Sequence, residues 1–165
     1  MHVATKTHTK VADEVWIATA LLHREHLEQS DFAIEEIVER ARKEPFGKEL
    51  RPGFYVHVVQ HCVANRAPNP GRYRMLYETA PGRRRLFRTG DTYNPAREGA
   101  KTVPPREWLP EQYHDLLDWY LAWAAAAATR RIKDDPLLAL RAISKGLWTG
   151  VDPDEYVRKL REGWE

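Results

Sequence analysis

Residues 72–91 read RYRMLYETAPGRRRLFRTGD, two short runs of alternating character around a Pro-Gly pair. In the first run Tyr73, Met75 and Tyr77 share one face, with Arg72, Arg74, Leu76 and Glu78 on the other, which is the period of a half-buried strand. Pro81 and Gly82 stand where a type II turn wants them, proline presetting φ and glycine accepting the positive φ that follows. Arg83–Arg88 then returns as the second strand. The stretch is therefore expected to be a β-hairpin. Its surplus of arginine sets the functional question: a wing laid on nucleic acid, or a solvated hairpin.

What precedes the hairpin decides how to read it. In Ala12–Glu28, Val15, Ala18, Thr19, Leu22 and His26 recur at helical spacing, with Ile17 and Leu21 widening the apolar face. In Ser30–Glu44, Ile34, Ile37, Val38 and Ala41 repeat the pattern, and Phe32 just before them suits a strand of one or two residues. PFGKELRPG breaks the chain. A third helix is expected over Pro52–Ala64, with Val56, Val59 and Val63 inward and His57, Gln60, His61 and Ala64 outward. Helix, helix, helix, hairpin is the winged-helix order. The expected fold class is α+β, mainly helical: a winged helix-turn-helix of three helices and a β-hairpin wing, with additional C-terminal helices.

Downstream, a Pro/Gly-rich loop leads into EQYHDLLDWYLAWAAAAAT, where Tyr113, Leu116, Leu117, Tyr120 and Ala124 are in helical register. The expected organisation is a flexible N-terminus (1–11), a winged-helix domain (12–108) and a long helix (109–128) packing on that domain or on a dimer partner. A linker (129–135) and a helical, partner-binding tail (136–165) follow. Trp119 and Trp123 suit either packing of the long helix. In the tail, Asp152, Pro153 and Glu155 form a capping-box arrangement, after which Tyr156, Val157, Leu160 and Trp164 share a face.

Composition bounds the function. Apolar residues at 42% and charged residues at 30% describe a foldable chain. No apolar run is long enough to span a membrane, no signal peptide is visible, and the single cysteine, Cys62, has no disulfide partner; these point to the cytoplasm of a prokaryote. Net charge is only +2, but residues 51–101 hold ten Arg or Lys against three Asp or Glu. A basic island in a mildly acidic chain is the pattern of a local polyanion footprint or of a solvated basic face.

Chemistry is mostly excluded. His57 and His61 lie four apart, a spacing that can bind zinc, but no glutamate of an HExxH motif or cysteine pair supports them. Cys62 beside His61 is no catalytic pair, because adjacent helical residues point about 100° apart. Neither serine sits in a G-x-S-x-G setting, and no Walker loop or G-x-G-x-x-G exists. No enzyme, metal or cofactor is expected. The candidate DNA contacts are Arg72, Arg74, Arg83, Arg84 and Arg85 from the hairpin, for phosphates or a narrow minor groove. Tyr55, His57, Gln60, His61, Asn65 and Arg66 belong to the third helix and its exit, where Gln and Asn can read adenine edges.

Two resemblances extend this reading. DEVWIATALLH, VHVVQHCVAN and NPGRYRMLYE through RRLFRTGD resemble an uncharacterised prokaryotic winged-helix family over about Ala12–Tyr120, which implies DNA binding. The tail DPLLALRAISKGLWTGVDPDEYVRKLREGWE resembles the C-terminal segment of small antitoxins encoded beside PIN-domain ribonuclease toxins. The matching residues are Asp135, Pro136, Leu140, Arg141, Lys145, Leu147, Trp148, Asp152, Asp154, Tyr156, Val157, Leu160, Arg161 and Trp164. The resemblance implies that the head holds double-stranded DNA while Leu140, Leu147, Trp148, Tyr156, Leu160 and Trp164 contact a toxin. The expected function is an antitoxin-like transcriptional regulator. The rivals are a winged-helix protein–protein adaptor and an accessory module of a restriction or defence system.

Overall fold

The computed structural model describes residues 9–137. The expected partner-binding residues Leu140, Leu147, Trp148, Tyr156, Leu160 and Trp164, and most of the 1–11 segment, lie outside the described residues. The chain divides into two units, 1–124 and 125–165.

The first unit is built around α1 (Val11–Glu25), in which every residue from Ala12 to His23 is buried. A helix buried on every side, its polar Asp13, Glu14, Thr19 and His23 included, lies at the centre of a core and not on its surface. The Asp13 carboxylate accepts the Lys10 N–H at 2.9 Å and so caps its start. After a turn, β1 (Phe32–Ala33) leads directly into α2 (Ile34–Arg42), whose Glu36 likewise accepts the Ala33 N–H at 2.7 Å. Phe32, Ile34, Ile37 and Ala41 are buried against α1.

The hairpin expected from residues 72–91 is present as β2 (Leu76–Ala80) and β3 (Arg83–Leu86). β3 is the middle strand of an antiparallel three-stranded sheet of order β1-β3-β2, with Phe32 opposite Arg84 and Tyr77 opposite Arg85. The protein is thus α+β, its helices packed on a small sheet. Gly82 has φ +73°, as the second central residue of a type II turn requires, and its carbonyl accepts the Ile34 N–H at 3.1 Å. Nothing lies within 4 Å of a Cβ placed there, so only backbone strain opposes a side chain. Gly82→Ala is expected to cost about 1–2 kcal/mol, read as a drop of a few degrees in thermal unfolding followed by circular dichroism; an unchanged midpoint would mean the turn relaxes.

The third helix departs from expectation. Instead of running over Pro52–Ala64, it is α3 (Phe54–Val56) followed by a π-helical turn, His57–His61. Gly53, at φ +87°, opens it. Several β-branched valines weaken α-helix here, and the chain then leaves the helix to join the hairpin. The Cys62 carbonyl accepts the N–H groups of Met75 (3.1 Å) and Leu76 (2.9 Å), and Ala64 N–H donates to the Leu76 carbonyl at 2.8 Å. The wider turn also changes the inward face. Val58 and Val63 are buried, whereas Val56, expected inward, is 45% exposed, and Ala64, expected outward, is buried.

α4 (His114–Asp134) enters the first unit with Leu116 and Tyr120 buried in its core. Over most of the segment expected as a linker, 129–135, the helix continues through to Asp134. Alanine-rich helix meets no glycine or proline before Pro136, so nothing stops it. None of the described helices is long and apolar enough to cross a membrane.

Candidate nucleic-acid interface

The hairpin arginines were expected to project toward a partner, and the structure corrects this for two of them. Arg84 is 1% exposed. Its guanidinium pairs with Glu78 at 2.7 Å and donates to the Val58 and Val59 carbonyls, each at 3.2 Å, binding the hairpin to the π turn. Arg85 is also buried, forks onto the Asp91 carboxylate at 2.7 and 2.8 Å, and lies over the Tyr77 ring at 4.5 Å. The reason is topological. On the central strand β3, the π turn lies against Arg84 through the Val58 and Val59 carbonyls, while Asp91 and the Tyr77 ring cover Arg85.

Arg83, nearer the turn, is half-buried and holds Asp31 at 2.5 and 2.8 Å. Asp31 also accepts the Thr79 hydroxyl at 2.6 Å; that hydroxyl and the guanidinium keep its carboxyl below the usual range. At Asp91 burial works the other way, but the bonds from Arg85 and the Arg88 N–H prevail and its pKa is lowered. Arg74 stacks on Tyr93, 4.2 Å from the ring centre. Arg72 is exposed, with no hydrogen bond or ion pair among the described residues.

The expected base readers are similarly occupied. Asn65 makes a two-way bridge to the Glu78 backbone, donating to its carbonyl and accepting its N–H, both at 2.9 Å. Arg66 pairs with the Glu78 carboxylate at 2.8 Å. Gln60 donates to the Ala67 carbonyl at 2.5 Å. Glu78 thus gathers Asn65, Arg66 and Arg84, three residues expected to face DNA. His57 and His61 face each other with ring centres 4.8 Å apart, and Tyr55 is 56% exposed. Gly71 backs onto the His61 ring, where an added Cβ would meet the imidazole at 2.7 Å, and this sets Arg72 beside the end of the π turn. The exposed part of the candidate surface without such bonds is therefore Tyr55, Val56 and Arg72, with His57 half-buried beside them.

The basic island is largely neutralised from within. Lys101 pairs with Asp13 (2.7 Å), Arg51 with Glu14 (2.8 Å) and Arg83 with Asp31 (2.5 Å), so acids of the first third of the chain fold onto bases of the middle. Charge asymmetry along the sequence is in good part intramolecular complementarity. Sequence reasoning missed these acids, and it missed Arg97, which is fully buried and donates to backbone carbonyls of the loops around the π turn. The only local signal was Asn94-Pro95, a turn start in which the Asn94 side chain accepts the Ala96 N–H at 3.0 Å. Cys62 is buried, and burial pushes its thiol pKa up, which makes it no nucleophile.

No family model matches the chain, and neither does any curated protein or solved structure.

Proposed function

We propose that this chain is a cytoplasmic, winged-helix DNA-binding regulator of the antitoxin type, whose head docks on double-stranded DNA and whose tail (136–165) holds a protein toxin. The observation that carries the first half is the arrangement α1–β1–α2–α3–β2–β3 with sheet order β1-β3-β2, which supports a winged helix and leaves one side of α3 open. In this reading Tyr55, His57 and Arg72 touch the duplex. Arg83, Arg84 and Arg85 shape the wing, holding it against β1 and the π turn, and do not themselves grip phosphate.

The test is a mobility-shift titration at several salt concentrations. Arg72→Ala is expected to weaken binding across all sequences and to lower the salt slope by about 1. DNA affinity and slope unaltered by this substitution would remove Arg72 from the interface, and no salt-dependent binding by the intact chain would end the DNA reading. A second reading, a winged-helix protein–protein adaptor, is favoured by one observation: the exposed side of α3 carries apolar surface, Tyr55 at 56% and Val56 at 45%, while most nearby guanidinium groups are already paired.

A further inference from the structure

The π turn carries a feature that DNA docking does not require. Its two histidines sit at its ends with ring centres 4.8 Å apart. A transition-metal ion held by imidazole nitrogens at about 2.0–2.1 Å lies about 3.2 Å from each ring centre. With one nitrogen of each ring turned to a shared ion, rings 4.8 Å apart would subtend an angle of about 100° at it. That value falls between the cis angle of an octahedron and the angle of a tetrahedron.

The chemistry of the pair agrees with the geometry. His57 Nδ1 lies 2.8 Å from the Gly53 carbonyl, which can only accept, so Nδ1 carries the proton and Nε2 keeps its lone pair. That is the outer hydrogen bond that orients metal-binding imidazoles. The Gly71 backbone packs against the Nδ1 side of the His61 ring and fixes its orientation, so Nε2 is the nitrogen left to coordinate. Among the described residues no third His, Cys, Asp or Glu joins them, so further coordination positions fall to water or to a donor from a partner.

We propose that His57 and His61 form a two-imidazole site for a borderline divalent cation of the zinc, nickel or copper class. The assignment is independent of the nucleic-acid reading, because the chain alone supplies both ligands.

The experiment titrates the full chain with zinc chloride by calorimetry and with Cu(II) by electron paramagnetic resonance. The expected result is one saturable site, with hyperfine coupling from two imidazole nitrogens. His57→Ala should weaken zinc binding at least tenfold and reduce the coupling to one nitrogen. The chain has five other histidines, so an ion held with equal affinity by the wild type and His57→Ala sits elsewhere and overturns the proposal. Absence of saturable binding by the wild type overturns it too. His61→Gln, shown by circular dichroism to be folded, is expected to give the same loss, and wild-type zinc affinity in this variant overturns the proposal.

Discussion

Arg97→Ala is expected to leave the protein largely unfolded at room temperature. Arg97 is fully buried and has no carboxylate partner among the described residues. Its Nε donates to the Arg66 carbonyl at 2.6 Å, one terminal nitrogen to His61 and Tyr73 at 2.7 Å each and to Gly71 at 3.3 Å, and the other to Gln60 at 2.9 Å and Ala67 at 3.4 Å. Burial lowers its pKa, and the charge is carried by oriented carbonyl dipoles instead of an anion. The carbonyls belong to the end of the π turn and to the irregular path from Arg66 to Tyr73, which regular secondary structure does not organise. Without the guanidinium they have no donor from Arg97 and are buried around a cavity. Charge-assisted hydrogen bonds contribute about 1.5–3 kcal/mol each, so losing even three of them costs about 5 kcal/mol or more, near the whole stability of a domain. Arg97→Lys keeps the charge but not the planar fork, and should recover only part of the loss. Denaturant unfolding of both variants measures this. A midpoint for Arg97→Ala close to that of the wild type would mean that water replaces the guanidinium at little cost.

That residue also marks the limit of what the sequence discloses. Alternation in residues 72–78 and the Pro81-Gly82 turn made the hairpin legible, because strand period and turn chemistry are local properties, although the first strand begins only at Leu76. The apolar periodicity of α1 and α2, and Phe32 as a strand residue, were legible for the same reason. The arginines were not. Whether Arg83, Arg84 or Arg85 faces a partner depends on Asp31, Glu78 and Asp91 and on β3 being the middle strand, and pairing across long sequence separations leaves no local mark. Likewise the π turn follows from Cys62–Ala64 being drawn onto the hairpin, a tertiary demand that overrides helical periodicity. A search for carboxylates able to neutralise each arginine would have raised the question, without fixing the pairs.

The same buried electrostatics make stability depend on pH through His23. Its ring is 2% exposed, lies 4.8 Å from both Phe32 and Trp123, and its Nε2 accepts the Leu86 N–H at 3.2 Å, joining α1 to β3. Burial, with Arg88 and Arg85 nearby, lowers its pKa from 6.5 to about 3. Protonation would remove the acceptor and place an imidazolium beside two guanidinium groups. Between those two pKa values the unfolded chain binds a proton that the native state refuses, so stability rises with pH across this window and falls as the solution is acidified from 6.5 toward 3. At about 1.4 kcal/mol per unit, the loss is about 2 kcal/mol by pH 5 and approaches about 5 kcal/mol at the lower end. His61, also lowered by burial, adds in the same direction, whereas Glu14, raised by burial, opposes it. Asp31 and Asp91 enter only below their ordinary carboxylate range, because their pKa values are depressed. His23→Gln separates the contributions: its amide oxygen can accept the Leu86 N–H but does not titrate. The variant should lose ring contacts and be less stable at pH 7, yet lose less stability than the wild type on going to pH 5. Unfolding free energies measured across that range test it, and parallel pH curves for the two proteins would show that His23 is protonated as readily in the folded chain as in the unfolded one.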